Sequence, residues 1–575
     1  MRKIPYGEIN FAQIIKENSL YVDKTKYIEK LEATPDLATS FYLRPGRFGK
    51  SLFTSMLNYY YGIEYKDEFE ELFGNLYIGK NPTENKNIYY ILKFDFSGMD
   101  INENNTIDEM QDIFANKVKE GIELFKNKYK LKIDYSDKTR PSEIIGATFL
   151  QFKNQVKDGK IYILIDEYDN FTNGILKGSA EKFLKIVSGE GFVKAFYARI
   201  KEEIGLGTVE RFFATGIAPV TLDSMTTGFN IATDVTRKKE FIAMCGFTHE
   251  EVKEIIKEVI PNGNEEEEQE KIYEKMTAYY DGYRFSEETE ETVFNSTLVM
   301  YYLKEYLRLG KEPEKKLDIN IAANFEKLAN LITLKNNPYS KAILECLMQN
   351  KYLAGTITDK FNLNMELTQD DIISILFYFG YASIKASQLG LVTFKIPNYI
   401  MKEVYNDYFM YLLKQAGLNV DITKIREAII ELALEGKIEK LCKLVEEYLG
   451  YLGNITWQRY DEKYVKGYMH SILLTTPVFN TYLEYNVKHN KYIDIAVFKN
   501  EEMGAKYQAI IEVKYIKKQE AETKQAKETA VAQKRAEALE QIKEYMADER
   551  LPKDNMKKFV VIYVGDKLEL LEEVN

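Results

Sequence analysis

The chain is poor in the residues that build metal centres and disulfide frameworks. Among 575 residues it has three cysteines and three histidines. Cys245, Cys346 and Cys442 lie far apart and form no CxxC pair, so they read as small core residues in a reducing compartment. His249, His470 and His489 are equally scattered, and a Cys/His zinc site is not expected. Positive charge is also short: 78 Lys and Arg stand against 89 Asp and Glu, for a net charge of −11. That excludes a generally basic nucleic-acid coat, so any DNA contact must use local patches. A long apolar span is missing too. The N-terminus MRKIPYGEINFAQII lacks the apolar core of a signal peptide. The greasiest run, IISILFYFGYASI at 372–384, is too short to cross a bilayer and reads as a buried helix running into a strand. No membrane partner is expected, and the expected location is the cytoplasm.

What remains is the composition of a globular chain, 45% hydrophobic and 29% charged, too long for one ordinary core. Residues 1–290 read as the first domain, and up to about 245 they alternate apolar strand-like runs with helical stretches, the rhythm of a parallel α/β sheet. The strand candidates are SFYL before Gly46, IYYILKFDF (88–96), KIYILIDEY (160–168) and ERFFATGIA (210–218). Thr248 and Glu251 then make a capping box for a helix. The acidic run 265–268 reads as a solvated loop or helix edge. Residues 291–455 read as a mainly helical linker domain, in which TQDDIISILFYFGYASI and LGLVTFKIPNY suggest a winged-helix-like unit or a plain helical linker. Residues 456–575 return to strands and carry a highly charged helix at 517–548.

The stretch FYLRPGRFGKS ends like a phosphate-binding loop but has Arg44 where GxxxxGK[ST] wants glycine. Such a loop aims backbone N–H groups at anionic oxygens from a helix N-terminus. Gly49 permits close approach, Lys50 reaches the β/γ-phosphates, and Ser51 ligates Mg²⁺. The nucleotide-binding segment is thus Arg44, Pro45, Gly46, Arg47, Phe48, Gly49, Lys50, Ser51 and Leu52. The apolar strand IYILIDEYD supplies the other half of the site. Asp166 would hold Mg²⁺ through water, and Glu167 would polarise the attacking water. A third strand ends at Thr215, where a hydroxyl can sense the γ-phosphate. Asn230 and Arg237 lie beyond it with no assigned role, and Arg284 reads as a structural salt bridge or an arginine finger.

YVDKTKYIEKL, RPGRFGKSL, LIDEYD, ATGIAPV, CGFT..EV and YDGYRF together resemble the AAA-ATPase-like domain of a bacterial family that carries a PD-(D/E)XK nuclease domain at its C-terminus. FGYASI…IPNYIMKEV extends the resemblance through the middle of the chain. The family loop reads RPRRFGKS, so Arg44 is an expected variant and Gly46 is the departure. The resemblance implies ATP and Mg²⁺ as cofactors.

The C-terminal residues fit the nuclease expectation. KYIDIAVF carries Asp494, and AIIEVKYI carries Glu512 and Lys514 on one face of a strand. A hairpin brings Asp494 beside Glu512, and two carboxylates suit Mg²⁺. Lys514 would orient or deprotonate the attacking water. Gln541 and Tyr545, four apart, share a helix face; the QxxxY spacing resembles the RecB-like branch, where this pair flanks the site and contacts DNA. Glu462 is favoured as the acid of the first helix, with Glu484 as second choice. KKFVVIYVG would complete an αβββαβ core. The family reads GRxD where this chain has Lys491-Tyr492-Ile493-Asp494. Lys491 can replace the missing arginine only as a point charge. Lys514, Lys517, Lys518, Lys524, Lys527, Lys534, Arg535 and Lys543 read as a phosphate track or as a solvated helix with interleaved glutamates.

The expected function is an ATP-binding and hydrolysing protein coupled to a Mg²⁺-dependent nuclease, with DNA rather than RNA as partner. The alternative is a nucleotide-switched interaction protein with an inactive nuclease-like domain. A lone P-loop domain translocates only as a ring or dimer, which leaves room for a homo-oligomer.

Overall fold

The computed structural model describes residues 2–99, 101, 104–170, 180–187, 191–219, 232–260, 265–313, single positions between 339 and 347, 353–359, 361, 367–405, 421–451, 462–476, 478–487, 491–500 and 503–574. Asn230 lies outside them. The chain divides into two compact units, Met1–Leu344 with Tyr352–Ile400, and Glu345–Lys351 with Met401–Asn575.

The first unit is built on a five-stranded sheet. Its strands are β1 (Thr39–Leu43), β2 (Tyr90–Asp95), β3 (Ile161–Asp166), β4 (Val209–Gly216) and β5 (Thr233–Asp234), in the order β2-β3-β4-β1-β5. All pairings are parallel. Each of the four apolar runs read from the sequence is one of its strands. β1 and β3 are buried at every position, which is why they read as continuous apolar runs rather than alternating ones. Strand order reverses beside β1, and the loops after β1, β3 and β4 meet at the carboxyl ends of the strands, where parallel sheets place ligands. The helices Ile107–Tyr129 and Pro141–Gln155 pack with the β2 side of this sheet, and the helix Lys50–Tyr61 follows β1 directly.

The same unit holds a small antiparallel sheet of β6 (Leu353–Gly355), β7 (Ser383–Gln388) and β8 (Leu391–Lys395), ordered β6-β8-β7. The helix Gln369–Tyr378 starts at a capping box of Thr368 and Asp371 and precedes the hairpin. The helix and hairpin are those read from the sequence; β6 adds a third strand. The Thr248–Glu251 capping box is formed as read, at the helix His249–Val259, and the acidic run opens the helix Glu265–Tyr280.

In the second unit the helix Glu462–Leu473 leads into β9 (Phe479–Val487), β10 (Lys491–Lys499) and β11 (Gln508–Ile516). The helix Lys524–Tyr545 and β12 (Met556–Val564) complete an αβββαβ core, and β13 (Lys567–Glu573) adds an edge. The sheet runs β13-β12-β11-β10-β9, with β11 and β12 parallel and the other pairs antiparallel. β11 is buried along its whole length. One apolar layer joins Ile511 and Val513 of β11 to Val465 and Met469 and to the helices Ile422–Ile430 and Glu439–Tyr451. The other joins Ile510 and Ile516 to Ala538, Ile542 and Tyr545.

Candidate functional site

The loop after β1 enters the helix Lys50–Tyr61 through Gly49, its N-cap, with φ of 95°. Arg47 also has positive φ, 72°, a conformation that disfavours side chains. The strain is held from behind. The Arg47 carbonyl accepts from Thr297 N at 3.3 Å and Thr297 Oγ1 at 2.7 Å, at the start of the helix Ser296–Leu309. The Phe48 carbonyl accepts from Gly246 N at 2.9 Å. Gly246 has φ of 84°, and a Cβ there would lie 2.9 Å from the Phe294 carbonyl, so only glycine fits.

Arg44 braces the loop and does not face the cavity. It is 1% exposed, donates from Nη1 to the Leu43 and Thr236 carbonyls at 2.8 Å each, and from Nη2 to the Ile242 carbonyl at 3.2 Å. Its guanidinium stacks between the rings of Tyr42 and Phe285, at 4.5 and 4.2 Å. A Cβ on Gly46 would meet nothing within 4 Å, so the backbone there does not demand glycine for lack of space.

Lys50 Nζ donates to the Arg44 and Pro45 carbonyls, 2.9 Å each, arching over the loop. Burial pulls its pKa down, and Asp166 and Asp169 oppose that. Asp166, at the end of β3, accepts from Thr215 Oγ1 at 2.7 Å, so two of the expected nucleotide residues meet directly. Glu167 has φ of 54°, and burial raises its carboxyl pKa against the pull of Lys50. Asp169 escaped the motif reading. It is 2% exposed and accepts from Ile217 N at 3.0 Å and Ala218 N at 2.9 Å, tying the loop after β3 to that after β4. A cavity of about 450 Å³ opens beside these groups, lined by Gly46, Arg47, Gly49, Lys50, Ser51, Leu52 and Glu167 and by the apolar Leu20, Met244, Phe247 and Met300. Its size and mixed lining suit a nucleotide.

Arg284 donates to the carbonyls of Ser286, Lys385 and Glu287. It fastens the hairpin rather than reaching the cavity, and the expected salt bridge is replaced by these carbonyls. Arg237 pairs with Glu287 at 2.7 Å and Asp359 at 2.8 Å.

In the second unit the register Ile495↔Ile511, carried one residue further, sets Asp494 opposite Glu512. Both are buried, 7% and 1% exposed, with Lys514 at 6%. Asp494 Oδ2 accepts from Val513 N at 2.9 Å. Lys514 Nζ donates to Glu512 Oε1 at 2.8 Å, while Glu512 Oε2 is buried with no hydrogen-bond partner. Burial, then the Asp494 charge, lift the Glu512 pKa to about 8 against the pull of Lys514. Burial works against the Lys514 ammonium, but Glu512 and Asp494 outweigh it and its pKa is raised.

Tyr545 Oη donates to the Tyr492 carbonyl at 2.7 Å, pinning the helix end to β10 beside Asp494. Gln541 Oε1 is a second buried polar atom without a partner. Glu462 is linked to Asp494 through Lys466. Its carboxylate lies 3.6 Å from Lys466 Nζ, and Lys466 donates to Asp494 Oδ1 at 2.7 Å. Lys466 was missed; among the charged and polar residues of the helix Glu462–Leu473 nothing in the sequence set it apart. Among the described residues no group of three or more His, Cys, Asp or Glu side chains converges to hold a metal ion. Two carboxylates with waters are nonetheless a usual Mg²⁺ set, and Glu512 Oε2, which interacts with Asp494 and the Tyr545 hydroxyl, makes no hydrogen bond of ordinary geometry.

The basic residues on and just before the helix Lys524–Tyr545 are largely matched by carboxylates. Lys518 pairs with Asp566, Lys527 with Glu569, Lys534 with Glu537 and Arg535 with Glu572. Lys491 is paired with Glu544. Among the described residues no helix is long and apolar enough to cross a membrane.

Comparison with known proteins gives the same two parts. The family model described as "Predicted AAA-ATPase" matches residues 5–226. The model of the PD-(D/E)XK nuclease superfamily matches residues 460–573. A curated relative, "Uncharacterized protein in vnfD 5'region" of Azotobacter chroococcum mcd 1, is 24% identical over 309 residues, 53% of each chain, so this chain spans about half that relative's length. A solved Walker-type ATPase of Pyrococcus abyssi aligns at 13% identity and a TM-score of 0.34, over 66% of this chain and 94% of that one. That likeness is too low to carry a comparison. The parallel sheet with its glycine-lysine loop and the αβββαβ core with its D…ExK strands each coincide with a matched segment: the chain joins an AAA-ATPase-like domain to a PD-(D/E)XK nuclease-superfamily domain.

Proposed function

We infer that the chain binds and hydrolyses ATP and that its nucleotide state governs a Mg²⁺-dependent nuclease acting on DNA. The observation that carries this reading is Glu512 Oε2, a buried carboxylate oxygen left without a partner beside Asp494 and Lys514. A buried acceptor left without a partner calls for an explanation, and beside a second carboxylate a bound cation supplies one.

At the nucleotide site the backbone N–H groups of the loop and of the first turn at Ser51 and Leu52 receive the phosphates. Lys50 exchanges the Arg44 and Pro45 carbonyls for phosphate oxygens. Thr215 orients Asp166, and Glu167 takes up the proton of the attacking water. Asp494 and Glu512 would hold Mg²⁺ at the nuclease site, Ser51 and Asp166 at the nucleotide site, where the ion supplies charge neutralisation and a more acidic bound water. Lys514 orients the water at the scissile phosphate, and Gln541 and Tyr545 flank it. Residues 291–455 serve as the linker between ATPase and nuclease, with the limits read from the sequence. DNA is the partner, the cytoplasm the location, and self-association is admitted.

The test is Mg²⁺-dependent cleavage of single- and double-stranded DNA by the parent, Asp494→Ala and Lys50→Ala. The reading expects no cleavage by Asp494→Ala and loss of ATP dependence in Lys50→Ala. Cleavage that survives Asp494→Ala removes the site assignment. One observation favours the second reading, a nucleotide-switched interaction protein. Tyr492 stands where the family has arginine, and Lys491 is engaged by Glu544. DNA binding without cleavage, and without metal binding by calorimetry, selects it.

A further inference from the structure

Lys466 lies at the nuclease-like site, yet no part of the D…ExK and QxxxY pattern accounts for it. Its side chain is 9% exposed and its Nζ stands 2.7 Å from Asp494 Oδ1, on a helix whose Val465, Met469, Ile472 and Leu473 join the apolar layer. Burying an ammonium is costly unless a charge answers it, so its presence needs a reason. Both Asp494 oxygens are engaged by the protein, Oδ1 by Lys466 and Oδ2 by the Val513 amide. A two-metal site, with ions about 3.5–4 Å apart, needs a carboxylate free to bridge them. Asp494 is the residue that would bridge, and Lys466 already occupies one of its oxygens.

Lys466 and Lys514 already set two positive charges against Asp494 and Glu512. The unpartnered Glu512 Oε2 offers one inner ligand, and no third acid converges on it among the described residues.

We propose that Lys466 is a built-in cation that holds Asp494 in place of a second metal ion, so that the nuclease-like site takes a single divalent ion, and that removing its charge admits a second. Lys466 is a positioning residue in this scheme. The inference rests on Asp494 and Glu512 being metal ligands.

The test is Mn²⁺ binding to the full chain, metal-free and without nucleotide, counted by calorimetry and read by electron paramagnetic resonance. The parent should bind one Glu512-dependent ion with an isolated-ion spectrum, absent in Glu512→Gln. Lys466→Met should bind two, with the broadened spectrum of a coupled pair, and Lys466→Arg should return the count to one. Should Lys466→Met lose its cooperative melting transition, Lys466→Gln carries the same count. A coupled pair in the parent, or one ion in the uncharged variants, overturns the proposal. DNA cleavage assayed on the same preparations separates it from the functional reading. Cleavage by a parent with paired ions leaves the nuclease and removes the single-ion claim; one ion without cleavage does the reverse. No Glu512-dependent ion in the parent sinks both.

Discussion

Arg44 and Glu512 show how surroundings decide what a charged residue does. Arg44 sits in the phosphate loop, where a cation suggests a ligand, but its planar fork is spent on carbonyls and two rings. Lysine cannot reproduce that fork. Arg44→Lys should therefore cost about 2 kcal/mol through unpaired buried carbonyls, lowering the melting temperature, and should weaken ATP binding through the loop it braces. An unchanged melting curve would return Arg44 to the phosphates. Glu512 is an acid held protonated by burial and by Asp494, with its pKa lifted to about 8. In the metal-free chain the folded state keeps a proton that the unfolded chain releases near the ordinary carboxylate value of about 4.3. Its contribution to stability is fully present at low pH, falls as pH rises toward about 8, and is flat above. Urea midpoints of the metal-free parent and Glu512→Gln, taken between pH 5 and 9, should diverge over that window, the parent losing more. Parallel curves would show that Glu512 does not carry the proton.

At the scale of elements, the helix Lys524–Tyr545 has a polar front and a functional end. Its first two turns are exposed and their cations largely face carboxylates, whereas Ala538, Ile542 and Tyr545 are buried against the sheet. Gln541 lies in that buried part and leaves Oε1 unsatisfied, a cost that a purely structural helix would shed. Gln541→Met should keep or raise the melting temperature while lowering DNA cleavage by about tenfold or more. A loss of stability with full cleavage would make Gln541 a structural residue. The helix Ser296–Leu309 illustrates the other side. Its N-terminal Thr297 holds the Arg47 carbonyl, a service to the nucleotide loop that lies outside the matched segment 5–226.

At the scale of the molecule, two compact units with separate sheets each hold one candidate site. A ligand stabilises only the unit that binds it, by about 2.7 kcal/mol at a hundredfold excess over its Kd. Calorimetric unfolding should show two transitions, with ATP raising one and Mn²⁺ without nucleotide raising the other. Lys50→Ala should abolish the first shift alone, and Asp494→Ala the second alone. A single transition moved by both ligands would mean that the units do not unfold independently.

Much of the candidate chemistry was legible because it is local. The continuous apolar runs that became β1 to β4 and β10 to β12, the Thr248 capping box, and the pairing of Glu512 with Lys514 all depend on residues a few positions apart. Their periods and spacings survive whatever the rest of the chain does. Contacts made across the fold were not legible. Arg44 meets Thr236 192 residues away, Thr297 meets Arg47 across 250, and Lys466 meets Asp494 across 28. Sequence alone therefore determined the two folds and named the acids and the loop. Only the tertiary structure decided which oxygen of each acid is already taken and which is left for a ligand, because that depends on burial and register, and neither is a property of neighbours in the chain.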